Sequence, residues 1–341
     1  MAKLIYQENN VQLASDDTVL AALLRHGVDV PHSCKTGVCQ SCIVRSDGKL
    51  PPSQAQTGLK ETLAAQGYFL ACQCKLSEVD DAEIRVSLDD NDALFVAATL
   101  AAKDFVSADV VRLEFALESS MSIEPGQFVH LRRSDGLVRS YSVASGPGAT
   151  RLELHVGRVQ NGAMSAYLLD ELAIGDTIDC RGPSGGCFYV AGRPEQPLLL
   201  VGTGTGLAPL LGIVRSAIAE GHSGPMHLFH GSVSATGLYL VDELRELASQ
   251  HSNLHYTPCV DEAPPNVLND LGLTLGRAAD IALEKHSSLK GWRIFLCGHP
   301  AMVRSTKKRG FLAGAAISDI FADPFEVSPP PDVVNGPLAM A

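Results

Sequence analysis

Apolar positions change their period three times along the chain. Residues Lys3–Leu13 hold two short apolar runs about a polar Glu8-Asn9-Asn10 turn, which predicts a strand pair. Val19, Leu20, Leu23 and Leu24 then recur at helical spacing within Thr18–His26, after the capping candidates Ser15 and Asp16 and before a terminating Gly27. A strand at Cys42–Arg45, a turn at Asp47-Gly48 and a closing strand at Ile84–Leu88 complete a small mixed α+β unit. From Ala97 to Tyr189 short β-rich runs separated by Gly and Pro follow one another: Val110–Leu117, Gln127–Arg132, Ser140–Ala144, Leu152–Val156 and Thr177–Arg181. They predict an antiparallel β-barrel, interrupted by one helix at Ala163–Leu172. From Pro197 a buried strand, Leu198–Val201, runs into a glycine loop and a helix, Pro209–Glu220. Strands near His227–His230 and Ile294–Cys297, with helices at Val241–Gln250 and Ala278–His286, predict a parallel α/β sheet. The chain therefore divides into units at 1–92, 93–192 and 193–328. A tail at 329–341 contains Pro329-Pro330-Pro331 and is expected to be mobile unless it docks.

A length of 341 residues agrees with two or three domains. The net charge of −11 argues against a nucleic-acid partner, whose phosphates require a basic surface. Acidic residues concentrate in Glu78–Asp92, where Glu78, Asp80, Asp81, Glu83, Asp89, Asp90 and Asp92 face Arg85 alone. A solvated strand and linker accounts for this run; a docking patch for a basic protein surface is the functional alternative. The first residues lack a long apolar segment, and the strongest apolar run, near Pro197–Val201, is too short to span a bilayer. These features lead to the expectation of a cytoplasmic protein without a membrane partner. Nine cysteines in such a chain read as reduced thiols and metal ligands.

Three of them, Cys34, Cys39 and Cys42, stand in a C-x4-C-x2-C pattern. This is the spacing of plant-type [2Fe–2S] proteins, whose cluster needs four thiolates. Gly37 permits the tight fold-back of the loop, and small residues at Ser33, Thr36 and Ser41 let backbone N–H groups approach the sulfurs. The fourth ligand lies in Phe69–Lys75, at Cys72 or Cys74. Cys72 leaves 29 residues after Cys42 and Cys74 leaves 31; the spacing selects Cys72. Zinc ribbons favour paired C-x2-C knuckles, which the x4 gap fits badly. With the strands and helix around it, this loop has the parts of a β-grasp ferredoxin.

Further chemistry lies beyond the cluster loop. Arg139-Ser140-Tyr141-Ser142 falls on a barrel strand; alone it reads as a surface strand. Twenty residues on, Gly162-Ala163-Met164-Ser165 opens the helix after Asn161. A helix start suits a pyrophosphate, with Gly162 allowing close approach, Ser165 a hydroxyl and Arg139 a bidentate charge. Tyr141 could stack on a flavin ring that Ser142 hydrogen-bonds. Val201–Pro209, VGTGTGLAP, is a glycine-rich strand-to-helix loop suited to a dinucleotide, although it is not the G-x-G-x-x-G fingerprint. Cys297-Gly298 follows another strand; by itself Cys297 reads as a buried core thiol.

Together these motifs, across residues 1–326, resemble the ferredoxin–NAD(P)+ reductase superfamily. They are most similar to its fused electron-transfer reductases of bacterial oxygenases and deoxysugar-forming dehydratases. The segment LACQCKLSEVD resembles the plant-type ferredoxin stretch in which the ligand falls on Cys72. The resemblance implies that Arg139, Tyr141, Ser142, Gly162 and Ser165 bind FAD and that Gly202, Thr203, Gly204, Thr205 and Gly206 bind the nicotinamide nucleotide. It also implies that Cys297 and Gly298 lie beside the nicotinamide, Ser142 and Cys297 positioning the two rings for hydride transfer. Ile320–Phe325 resembles the family's C-terminal segment, which would place Asp323 and Phe325 near the flavin. Where many members carry a phosphate-binding arginine, within His230–Tyr239, this chain has Val233. No nearby Lys or Arg replaces it, which favours NADH over NADPH. The expected function is NADH-dependent electron transfer through FAD and a [2Fe–2S] cluster to a partner oxygenase or dehydratase. The competing expectations are an NADPH-linked ferredoxin-type or ferric reductase, and a redox-sensing interaction module without sustained turnover.

Overall fold

The computed structural model describes residues 3–326 apart from 13, 15, 33, 49–50, 52, 76 and 78–82. Ser15, Ser33, the tail at 329–341 and Glu78, Asp80 and Asp81 of the acidic run thus lie outside the described residues. Strands β1 (Lys3–Tyr6), β2 (Asn9–Val11), β3 (Ile43–Gly48), β4 (Tyr68–Leu70) and β5 (Glu83–Ser87) form the first sheet, in the order β2-β1-β5-β3-β4. The last strand in sequence, β5, sits at its centre, parallel to β1 and antiparallel to β3. The expected turn at Asp47-Gly48 is instead strand, because both residues continue the β3 ladder opposite Arg85 and Ile84. Helix α1 (Val19–Arg25) is capped by Thr18, whose Oγ1 accepts from the Ala21 amide at 3.2 Å, and not by Asp16. Gly27 follows at φ +74°, as a helix-ending glycine should. Val19, Leu20 and Leu23 of α1 share one core with Leu4, Phe69 and Ile84 of the sheet. Helix α2 (Glu61–Ala65) precedes β4.

The second sheet holds β6 (Val96–Phe105), β7 (Val110–Leu117), β8 (Phe128–Arg132), β9 (Val138–Ser142), β10 (Leu152–Gly157) and β11 (Thr177–Ser184), in the order β10-β7-β6-β11-β8-β9. Every pairing is antiparallel, and a bridge between Val143 and Leu154 closes the ends into a barrel. The expected helix is α3 (Ala163–Ala166), which continues as a π-helical turn over Tyr167–Glu171. Its Met164, Leu168 and Leu169 share the barrel core with Leu113, Phe115 and Leu131.

The third sheet is wholly parallel, in the order β15-β14-β13-β12-β16-β17. Its strands are β12 (Leu198–Thr203), β13 (Met226–Ser232), β14 (Leu254–Val260), β15 (Thr274–Leu275), β16 (Arg293–Gly298) and β17 (Ile320–Pro324). Five helices connect them: α4 (Leu207–Ala219), α5 (Val241–Gln250), α6 (Pro265–Asp270), α7 (Ala278–Lys285) and α8 (Pro300–Leu312). Period-two alternation sends Leu198 and Leu200 into one core with α4 and α5, and Leu199 and Val201 into the other with α7 and α8. Strand order reverses at β12, so the crevice at the carboxyl ends of β12 and β16 is where such a sheet takes a ligand. Among the described residues no helix is long and apolar enough to cross a membrane.

The three units are joined by specific contacts. Phe95, at the entry to the barrel, packs against the guanidinium groups of Arg132 (4.0 Å to the ring centre) and Arg181 (5.4 Å). Arg132 also pairs with Asp92 and, at 2.7 Å, with Asp179. Between barrel and third sheet, buried His155 joins Tyr239 Oη (3.1 Å) to Glu153 (2.9 Å), and Arg215 donates to Glu153 at 2.8 Å.

On the third sheet the rings of His227, His255 and His286 gather with Trp292, three of the contacts having centroids 4.6 Å apart. Burial pushes His227 down to about 4, and lowers His286 as well. The unfolded chain, with histidines near 6.5, therefore binds more protons between about pH 6.5 and 4, so the folded state loses stability as pH falls through that window. The chain's one tryptophan reports on this cluster. The midpoint of thermal unfolding followed by Trp292 fluorescence is expected to fall between pH 7 and 5, and His227→Phe to flatten that dependence; equal slopes would refute it.

Candidate functional site

The cluster loop coils because three residues take left-handed backbone angles: Lys35 (φ +56°), Gly37 (+85°) and Gln40 (+53°). At Gly37 a Cβ would also lie 2.9 Å from Gln73 Cγ, so both conformation and space favour glycine there. The coil turns amides toward sulfur. Thr36 and Cys39 N–H groups donate to Cys34 Sγ at 3.3 Å, and Cys34 N–H donates to Cys39 Sγ at 3.4 Å. The Gln73 side-chain amide donates to Cys72 Sγ at 3.2 Å. The sulfurs act on one another in pairs, Cys34 with Cys39 and Cys42 with Cys72. The bond from its partner, before anything else, draws Cys34 down to about 4 and Cys72 down to about 7; it pushes Cys39 and Cys42 up. Each pair thus keeps one sulfur inclined to the thiolate, the ligand form. Among the described residues no three His, Cys, Asp or Glu side chains gather about a single ion. Cys74 is fully buried in the first core.

One cavity of about 740 Å³ is lined from all three units. The barrel contributes Arg139, Tyr141, Ser142, Gly162 and Ser165; the cluster loop contributes Cys34 and Cys39; the third sheet contributes Thr205, Asp323 and Phe325. Gly202, Thr203, Gly204, Gly206, Cys297 and Gly298 do not line it; they lie at the carboxyl ends of β12 and β16 and in the loops that follow. Backbone contact there is close. A Cβ on Gly206 would lie 2.3 Å from Cys297 O, and one on Gly298 (φ +113°) 2.6 Å from Thr203 O. The His299 amide donates to Thr203 Oγ1 at 3.0 Å, fastening the two loops together.

Three of the expected residues have specific partners in the structure. Ser165 Oγ accepts from the Val159 amide (3.1 Å) and donates to Gly162 O (3.0 Å), so the hydroxyl closes its own loop. A Cβ on Gly162 would lie 2.7 Å from that oxygen, which gives the glycine a local reason. Cys297 is fully buried, its sulfur 3.7 Å from Cys187 Sγ. Asp323 is brought to Ser142, whose Oγ donates to Asp323 Oδ2 at 3.5 Å. Burial pushes the Asp323 carboxyl up to about 7, against the opposing hydrogen bond of Ser142. Sequence reasoning missed Arg133, His155 and Gln160 as lining residues. Arg133 donates to Ala163 O at 3.2 Å and pairs with Asp135, adding a second cation near the helix start. Its signal was the Arg132-Arg133 pair at the end of β8.

Residues 5–77 match the family described as 2Fe-2S iron-sulfur cluster binding domain, 97–189 the Oxidoreductase FAD-binding domain and 200–308 the Oxidoreductase NAD-binding domain. The reductase component of the naphthalene 1,2-dioxygenase system of Pseudomonas putida is 32% identical over 331 residues, covering 95% of this chain and 98% of that protein. The reductase subunit of an aromatic O-demethylase of Amycolatopsis sp. is 34% identical over 306 residues, covering 85% and 88%. Among solved structures, the Amycolatopsis cytochrome P450 reductase GcoB aligns with a TM-score of 0.66 at 31% identity, covering 95% of this chain and 99% of that one. The chain belongs to the fused ferredoxin–NAD(P)+ reductase family.

The reductase is accordingly an NAD(P)H-dependent oxidoreductase whose cofactors are a [2Fe–2S] cluster, FAD and a nicotinamide nucleotide. Its residues fit them. The thiol pairs would hold the cluster, and the cavity between Arg133, Arg139 and Phe325 is large enough for a dinucleotide.

Two outcomes follow from this geometry. Cys72→Ser is expected to abolish or strongly perturb the visible cluster spectrum while Cys74→Ser leaves it in place; the reverse result would reassign the ligand. The rate at which NADH bleaches the flavin absorbance is expected to fall severalfold as pH rises through about 7, because a carboxylate then replaces a neutral acid where negative charge arrives. Stopped-flow traces of Asp323→Asn should keep the faster rate throughout, and a step of the same size in that variant would exclude Asp323.

Proposed function

We propose that this reductase draws electrons from NADH and delivers them singly to a separate protein of an oxygenase or dehydratase system. The observation that carries the reading is the shared cavity, where Cys34 and Cys39 stand in one wall and Tyr141, Ser142 and Asp323 in the others. Bound flavin takes two electrons from a nicotinamide and releases them one at a time to an acceptor such as a [2Fe–2S] cluster. The chain's own part is placement. Arg139 and Arg133 supply positive charge for a pyrophosphate, Tyr141 and Ser142 hold the ring system, and the crevice from Gly202 to Gly206, with Cys297 and Gly298, receives the nicotinamide nucleotide. Cys34, Cys39, Cys42 and Cys72 hold the cluster beside that wall.

The donor preference rests on the loop after β13. Val233 is exposed there, and no Lys or Arg occurs in His230–Tyr239. Within that segment a 2′-phosphate would meet hydroxyls and no cation. The acceptor reading rests on relatives that are reductase components of a dioxygenase, of an O-demethylase and, in Yersinia pseudotuberculosis, of a CDP-hexulose dehydrase. The partner would dock on the ferredoxin unit, near exposed Val38 of the cluster loop and the acidic run 78–92.

Steady-state reduction of cytochrome c tests the reading. NADH is expected to support many turnovers, with kcat/KM at least about tenfold above that for NADPH, the ratio that one missing charged contact of ~1.5 kcal/mol sets. Val233→Arg should narrow the gap. Turnover of order one per protein would overturn the electron-delivery reading, and equal use of NADPH would overturn the donor preference.

A further inference from the structure

Arg181 lies on β11 of the barrel, only 8% exposed, and its Nη2 donates to the backbone carbonyl of Gln40 at 3.0 Å. Gln40 is the residue after the ligand candidate Cys39. A buried guanidinium is costly unless an anion offsets it. Among the described residues Arg181 forms no ion pair with a carboxylate; the groups within its electrostatic reach that would become negative on losing a proton to a metal site are the sulfurs of Cys42 and Cys39. Its Nε is buried without a hydrogen-bond partner. The neighbouring cation, Arg132, is different in kind, since it is paired with Asp92 and Asp179. The neighbouring histidine, His130, is held neutral by burial and by Arg181 itself. Arg181 therefore brings one uncompensated positive charge to the cluster loop from the flavin barrel.

We propose that Arg181 is the buried counter-charge of the iron–sulfur site: a positioning residue that fixes the Gln40 turn and raises the cluster's reduction potential. The inference rests on the assignment of the cluster to Cys34, Cys39, Cys42 and Cys72. The physical reason is that one-electron reduction adds one negative charge to a site already negative, so a nearby cation in a low-dielectric setting favours the reduced form. Arg181 does not line the flavin cavity, so the shift should be confined to the cluster.

The test is a spectropotentiometric titration of the loaded, full-length protein, with the cluster followed by electron paramagnetic resonance. Arg181→Met is expected to keep its cluster but to lower the cluster midpoint, leaving the flavin midpoint in place, while Arg181→Lys stays near the wild-type value at neutral pH. Arg132→Gln, which loosens the same Phe95 contact but removes a paired charge, should leave the cluster midpoint unchanged. If Arg181→Met does not load, Arg181→Lys decides: a lysine there loses its charge in alkali, so its midpoint should drop below the wild type's as pH rises. A Met variant with the wild-type midpoint, an Arg132→Gln shift as large as that of Met, or a Lys variant that tracks the wild type at every pH would each overturn the proposal. A Cys72→Ser variant that keeps the wild-type cluster would instead overturn the ligand assignment.

Discussion

The structure depends on one buried seam, between the cluster loop and the edge of the barrel. Gln40 is its centre. Its side-chain amide donates to Gly58 O at 2.7 Å within the first unit, its Oε1 accepts from Ser184 at 3.0 Å, and its carbonyl accepts from Arg181. Ser140 adds a fourth contact, from a strand that also lines the large cavity, to Cys39 O at 3.4 Å. Polar groups buried in such numbers have to be satisfied together, which restricts the two units to one relative placement. That placement puts Cys34 and Cys39 into the cavity wall, and the proposed passage of electrons between the two centres rests on it.

Much of this could be read from the sequence, for identifiable reasons. Helix α1 and strands β7 and β12 carry strong apolar periodicity, and the cysteine spacing is too specific to arise readily by chance. Strand β6 was missed among the named runs because Val96–Phe105 is rich in alanine, a weak strand former. β17 read only as a terminal motif, although it forms the edge of the parallel sheet. Cap chemistry misled at α1: Ser15 and Asp16 are good cap types, but Thr18 is the residue whose extended backbone meets the helix. The candidate site was legible as a set of motifs and not as a set of distances. Nothing along the chain shows that Ser165 is engaged by its own loop, that Cys297 faces Cys187, or that Asp323 meets Ser142 across 181 residues.

The crevice in the third sheet shows a second kind of constraint, imposed by the main chain. Gly202, Gly206 and Gly298 crowd the ends of two adjacent parallel strands so closely that any side chain would strike backbone or the core residue Leu210. The glycines thus let β12 and β16 end side by side. Glycine loops of this sort serve ligand approach and chain packing at once, which is why the departure from the G-x-G-x-x-G spacing leaves the crevice intact.

Phe95, packed against two guanidinium groups of the barrel, ties the segment joining the first two units to the barrel wall. A ferredoxin on a loose tether could swing between its source of electrons and its customer. A ferredoxin held in place by such contacts would present its one-electron centre at a fixed terminal, and a recipient would then have to carry its own acceptor to it.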